Sequence, residues 1–229
     1  MLIPCIDLQR GRAVQLIHGS KRELEVADVF SLLEKFKKYE WLHIIDLDAA
    51  MGKQPNKALV HSLIERARRN YGFKVRVGGG IRSMPRARQL VRLGTDQIII
   101  GSAALKDGKI NARFLNRVTK DAGRKRIVIA LDTAHGSITI HGWRKHLALR
   151  ASELMPQLEK YCSAFLCTDV DREGTMTGAN LSWFRELRRA TSLPIIAAGG
   201  ISTRRELRAL ENMGMDAAVG MAVYKDRIS

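Results

Sequence analysis

The sequence lacks what membrane and most cofactor chemistries require. It contains no run of 18 apolar residues, which excludes an ordinary membrane-spanning helix. Its opening, Met1-Leu2-Ile3-Pro4, leads straight into a strand-like pattern, so no signal peptide is expected and a cytoplasmic location is. The only cysteines are Cys5, Cys162 and Cys167. They lack metal-site spacing and lie in or beside apolar runs, where buried reduced thiols are expected. No Cys/His cluster has zinc spacing, no Walker lysine motif occurs, and the glycine runs do not spell a dinucleotide fingerprint. No metal and no cofactor are therefore expected. Acidic residues are in deficit as well: 23 Asp and Glu against 39 Lys and Arg, a formal net charge of +16. Such a field attracts anionic ligands and can hold nucleic acid without sequence preference. The basic residues recur on helical patterns, for example Arg66, Arg68 and Arg69, or Arg185, Arg188 and Arg189. A solvated outer helix face accounts for most of them, and a nucleic-acid partner is the lesser expectation.

What the chain does contain, it contains twice. Val77-Gly78-Gly79-Gly80-Ile81 returns as Ala197-Ala198-Gly199-Gly200-Ile201, offset by 120 residues (199 − 79). Each run leads through Gly94 or Gly214, then an Asp and an apolar strand, into Gly101 or Gly220. Upstream, Ile3–Asp7 matches Ile127–Asp132, and Ile44–Asp48 matches Cys167–Asp171. Short apolar runs suited to buried strands fall at 2–7, 41–47, 73–77, 96–100, 126–132, 163–168, 193–197 and 216–220, with amphipathic helical segments between them. Eight such units with an internal two-fold repeat predict an α/β chain, one (β/α)8 TIM barrel over residues 1–229 built from two half-barrels. Only nine residues follow Gly220, so the last helix is truncated, and the outer faces of the eighth and first strands need cover from neighbouring side chains or a second subunit. Residues 137–143 alternate like a short hairpin that carries Trp143 over the mouth.

In such barrels the active site lies at the carboxyl ends of the strands. Asp7, Asp46, Asp48, Asp132 and Asp169 all fall at or just beyond those ends. Any one of them suits helix capping, but opposed carboxylates also suit proton transfer if their surroundings separate their pKa values. Gly79-Gly80 with Gly101-Ser102, and Gly199-Gly200 with Gly220-Met221, offer free backbone N–H groups before helices. One such turn only permits positive φ; two pairs on opposite sides of one mouth predict a ligand with a phosphate at each end. Trp143 suits stacking on a planar ligand, and His43 suits a core or a mouth position equally.

These motifs together resemble the phosphoribosylformimino-aminoimidazole carboxamide ribotide (ProFAR) isomerases of histidine biosynthesis, over nearly the whole chain. The resemblance rests on Ile3–Leu8, His43–Ala50, Val77–Ser83, Ala130–Asp132, His141–Trp143, Thr168–Thr175, Gly199–Ser202 and Val219–Ala222. It implies an Amadori rearrangement of a bisphosphorylated small molecule, aminoaldose to aminoketose. Asp7 would be the base that takes the C2 proton and Asp169 the acid that opens the furanose. Asp132 would position the sugar, Trp143 would stack near the aminoimidazole, and Gly174 and Thr175 would join the substrate contacts. The chain departs from the pattern at Glu173, one methylene longer than the usual Asp, and at Gln15, where an Arg is common. It departs also in a shortened segment after Gly19 and in the truncated end. Three other readings stand beside it: an isomerase acting on phosphoribosylanthranilate too, the sister cyclase of imidazole glycerol phosphate synthase, and a basic barrel that binds a polyanion without catalysis. The cyclase usually carries a Lys near Val14–Leu16, which is absent here. The charge of +16 makes two copies repel, so a monomer is expected.

Overall fold

The computed structural model describes residues 1–228. Eight parallel strands form a closed barrel: β1 (Leu2–Gln9), β2 (Trp41–Asp46), β3 (Lys74–Gly78), β4 (Gln97–Ile100), β5 (Ile127–Ala134), β6 (Ala164–Asp169), β7 (Ile195–Ala198) and β8 (Met215–Val219). Each pairs with the next, and Leu2↔Ala217 and Ile3↔Ala218 close the ring between β1 and β8. All eight lie where the apolar runs predict them. Outside run α1 (Ser31–Phe36), α2 (Lys57–Tyr71), α3 (Met84–Arg92), α4 (Ala112–Ala122), α5 (Ala151–Leu158), α6 (Leu181–Ala190), α7 (Arg204–Asn212) and the four-residue α8 (Met221–Tyr224).

Successive side chains of a strand point to opposite sides, so each strand feeds two cores. Ile3, Ile99, Val128, Leu166, Ile196 and Ala218 meet inside the barrel. Their neighbours in sequence, such as Ile98, Ile127, Phe165, Ile195 and Val219, face outward against the helices. The strands are apolar on both faces because both faces are covered, which is why no strict alternation marks them in the sequence.

Two features differ from the sequence reading. The segment that reads as merely shortened after Gly19 is part of a hairpin, Arg12–Ile17 with Lys21–Val26, which extends antiparallel from the end of β1 through Asp7↔Val14. The backs of β8 and β1 are shielded by the chain itself. Val223, Tyr224 and Ile228 are buried there, and the Tyr224 ring meets Phe36 of α1 edge-on at 5.5 Å. Lys35 ties the same join, donating to the Tyr224 carbonyl at 2.9 Å. The Phe36 and Tyr224 side chains supply part of that cover. Among the described residues Met1 is the sole large apolar side chain left exposed.

Candidate active site

The side-chain alternation of the strands selects the groups that reach the mouth. Ile3, Cys5 and Asp7 share the inner face of β1, and Val128, Ala130 and Asp132 that of β5. Asp7 and Asp132 therefore line a cavity of about 200 Å³ at the carboxyl end of the barrel. Asp169 has the opposite parity. Thr168 is the inward residue of β6, in register with Asp132, whereas Asp169 follows the outward Phe165 and Cys167. The Asp169 carboxylate faces Arg172, with Nε 3.6 Å from Oδ2, and Asn180, and it is not part of the cavity wall. The repeat-related Asp46 behaves alike: it accepts from the backbone N–H groups of Ala49 and Asn56 at 3.1 and 2.8 Å. Asp48 is likewise a loop anchor, accepting from the Arg10 N–H at 2.6 Å. Of the five candidate aspartates, two meet in the cavity and three hold loops.

The third carboxyl group in the cavity is Glu173. After β6 the chain makes one tight turn, Val170–Arg172, and Glu173 then folds back over the mouth. Its carbonyl accepts the His18 N–H at 2.9 Å, and Gly174 sits so close to the hairpin that a Cβ there would lie 2.0 Å from the Leu16 carbonyl oxygen. Burial raises the Glu173 carboxyl to about 8, and the neighbouring Asp7, Asp132 and Asp169 push the same way. Burial alone raises Asp7 to about 7. Asp132 is also raised by burial, against hydrogen bonds from Trp143 and Thr168 that lower it. Three carboxyl groups in one low-dielectric space cannot all ionise together at neutral pH, so they share protons.

This arrangement couples protonation to stability. The folded-state pKa of Glu173 lies above its unfolded value, so its contribution is intact below about pH 4.5 and is lost as pH rises through about 8. Glu173→Gln, neutral throughout, is expected to gain melting temperature relative to wild type between pH 5 and pH 8.5. A difference that stays flat or shrinks over that range would show that Glu173 is not held protonated.

The rest of the wall is built by loops. Trp143 lies at the mouth, where it lines the cavity and its indole N–H donates to Asp132 Oδ2 at 2.9 Å. It sits in a turn with positive φ at His141, Gly142 and Trp143, anchored by the His141 N–H on Ser102 Oγ at 2.8 Å. One side of the indole lies against Gly19, where any Cβ would come within 2.3 Å of the ring. On the floor, His43 faces the cavity beside Cys5, with Nε2 3.3 Å from the buried Arg76 guanidinium. Burial, then Arg76, holds its pKa well below the ordinary range, so His43 is neutral.

The two glycine pairs are at opposite sides of the mouth. Gly79, Gly80, Gly101 and Ser102 line the main cavity, with Arg82 beside them. Gly199, Gly200 and Met221 line a smaller recess that shares Glu173 and Gly220 with the main one, and Gly174 joins its wall. Repeat partners match in conformation: φ is 97° and 67° at Gly79 and Gly80, and 104° and 72° at Gly199 and Gly200. Thr175 is outside both walls, its hydroxyl donating to the Arg172 carbonyl at 2.7 Å. The sequence signal that separates Asp169 from Asp7 and Asp132 is strand parity; Glu173, in a loop, carries no such signal.

A family model described as histidine biosynthesis protein matches residues 1–229. A protein of Methanocaldococcus jannaschii is 35% identical over 233 residues, covering 100% of this chain and 95% of the relative. One of Methanosphaera stadtmanae is 33% identical, with 100% and 96% covered, and one of Aquifex aeolicus is 32% identical, with 100% and 94% covered. All three relatives bear the name 1-(5-phosphoribosyl)-5-((5-phosphoribosylamino)methylideneamino)imidazole-4-carboxamide isomerase, the systematic form of ProFAR isomerase. Matched by that model over residues 1–229 and 32–35% identical to these relatives over its length, this chain belongs to the histidine biosynthesis protein family.

Proposed function

We propose that this chain is a ProFAR isomerase, which converts a bisphosphorylated aminoaldose to the aminoketose by acid–base catalysis. The observation that carries the reading is a cavity with carboxyl groups of raised pKa at its centre and a glycine turn pair at each end. A molecule with a phosphoribosyl group at each end has the length and charge to use both ends, with Arg82 adding a cation at one. Trp143 offers its ring to the aminoimidazole between them, and Asp132, held by the indole N–H, positions the sugar.

In the rearrangement an acid protonates the furanose ring oxygen and the C1–O bond opens to an iminium. A base then removes the C2 proton, giving an enaminol that tautomerises to the ketone at C2. Asp7, about 7, is ionised enough near neutrality to be the base. For the acid we favour Glu173 over Asp169. Glu173 shares the cavity wall with Asp7 and keeps its proton to about pH 8, whereas Asp169 is turned to Arg172 and Asn180. The extra methylene of Glu173 then lengthens the acid's reach without changing its chemistry. These transfers use side chains alone, without metal or organic cofactor.

The rate is expected to follow a bell in pH. Its acid limb reflects ionisation of the pair's base and its alkaline limb loss of the acid's proton, with apparent pKa values that belong to the coupled carboxyls. An optimum between pH 7 and 8 in kcat/KM is the expected result; a rate that climbs steadily past pH 9 would rule out a protonated carboxyl as the acid. The decisive experiment is a coupled assay with ProFAR beside phosphoribosylanthranilate. Turnover of ProFAR carries the proposal, turnover of both makes the enzyme dual-substrate, and turnover of neither removes it.

The chain is also proposed to act as a cytoplasmic monomer. No helix among the described residues is long and apolar enough to cross a membrane, and the backs of β8 and β1 are covered from within. A net charge of +16 adds repulsion between copies at low salt.

A further inference from the structure

Acids answer some of the barrel's basic side chains: Arg69 is paired with Glu65, Lys74 with Glu40 and Lys225 with Glu23. One sector gathers several that no acid answers, around the one run of three consecutive cations in the sequence, Arg124-Lys125-Arg126. The carboxyl-terminal ends of α3 and α4 lie side by side, clasped by Arg88 on Asp121 through two hydrogen bonds of 2.8 and 2.9 Å. Just beyond α4 the chain makes the tight turn Arg124–Arg126 and enters β5. Arg92, Arg117, Lys120, Arg124, Lys125 and Arg126 are all exposed here. Among the described residues, none of these six has an acidic side chain within the 4.0 Å of an ion pair. The acids of this sector are already engaged, Asp96 by Arg68 and Asp121 by Arg88.

Helix dipoles favour cations in a last turn and so account for Arg92 and Lys120. They do not account for three consecutive cations in the turn 124–126, which repel one another. That turn is held by its backbone and by one side chain: the Lys125 carbonyl accepts from Gln97 Nε2 and from Ser163 Oγ, each at 3.0 Å, and Arg124 Nη1 donates to the Glu159 carbonyl at 3.2 Å. The result is a fixed basic knuckle beside two helix ends. The one aromatic side chain on α3, α4 or the turn is Phe114, which packs against the core, so this side has no platform on which unpaired bases can stack. Cations alone read phosphates, not bases.

We propose that this sector docks the phosphate backbone of duplex DNA, independently of sequence. It is at the opposite end of the barrel from the cavity. Ile127, next to the knuckle, and Asp132, in the cavity wall, are five residues apart on β5, about 17 Å at ~3.3 Å per residue. Docking and the proposed isomerisation therefore do not compete for space.

The test is fluorescence anisotropy of a labelled 24-base-pair DNA duplex with the full chain across a potassium chloride series. Six neutralised phosphates give a plot of log affinity against log salt with a slope of about −5, and roughly a 10³-fold loss of affinity from 50 to 200 mM salt. Replacing Arg124, Lys125 and Arg126 together by Ser should make the slope shallower by about 3, at ~0.9 per phosphate contact. Melting temperature should fall only slightly, from loss of the exposed Arg124–Glu159 hydrogen bond, and ProFAR turnover should stay as in wild type, because the Lys125 carbonyl anchor of the turn is kept. Arg92→Ser with Lys120→Ser should take away about 2. Arg82→Ser, at the mouth, should leave duplex binding unchanged. No binding at 50 mM salt, a wild-type slope in the triple variant, loss of binding in Arg82→Ser, or tighter binding of a single strand of equal length would each overturn the proposal.

Discussion

Asp7→Asn and Glu173→Gln are each expected to lower turnover on the order of 10²–10⁴-fold, while Asp169→Asn keeps most of the wild-type rate. The first two substitutions remove a proton acceptor or donor that lines the cavity while keeping shape and nearly all volume. Neither breaks a hydrogen bond that holds a loop. Asp169→Asn preserves a polar side chain where Asp169 meets Arg172 and Asn180, outside the wall. The measurement is kcat and KM for ProFAR on each purified variant, with circular dichroism to certify folding. A Glu173→Gln enzyme that turns over normally beside a silent Asp169→Asn enzyme would return the acid to β6. Normal turnover in Asp7→Asn would remove the base and, with it, the mechanism.

The second large effect is on folding. Gly199→Ala is expected to cost about 2–5 kcal/mol, combining ~1–2 kcal/mol for a side chain in a left-handed conformation with ~1–3 kcal/mol for overpacking. Its φ is 104°, and an added Cβ would lie 2.3 Å from the Asp169 carbonyl oxygen. Gly79→Ala repeats the collision in the other half, 2.2 Å from the Asp46 carbonyl. Against a total stability of roughly 5–15 kcal/mol, either loss is severe. Bulk at Gly80 or Gly200 would therefore test packing before it tested phosphate binding. Gly101→Ala is the clean probe of the turn as a phosphate cradle. Its φ is −95°, and an added Cβ would have Ala130 Cβ as its nearest neighbour, at 3.8 Å. Urea midpoints should fall sharply for Gly199→Ala and hold for Gly101→Ala, whose KM for ProFAR should rise with kcat little changed. A wild-type midpoint in Gly199→Ala would show that the two strand ends do not approach as described.

The division between what is written in the chain and what is decided by folding follows from the range of the interactions involved. The eight strands were legible because apolar runs of strand length report burial on both faces, a local property repeated in both halves. The glycine pairs were legible because positive φ restricts one residue at a time, and the repeat shows each twice. The inward aspect of Asp7 and Asp132, and the outward aspect of Asp169, follow from counting by twos only once the fold shows which apolar residues face inward. The sequence alone therefore sets the barrel and its mouth, with five aspartates at the strand ends. It does not set which of them enter the cavity, nor that Glu173 does. Glu173 lies in a loop, where no period fixes direction, and it turns inward because Gly174 packs beneath the Leu16 carbonyl of a hairpin over 150 residues away (174 − 16 = 158). The cover over β8 and β1 depends likewise on Phe36 and Tyr224 meeting across the closed ring. Raised carboxyl pKa values, too, arise only in the assembled cavity: burial raises Asp7, Asp132 and Glu173, repulsion from neighbouring carboxylates raises Glu173 further, and neither is a property of a segment by itself.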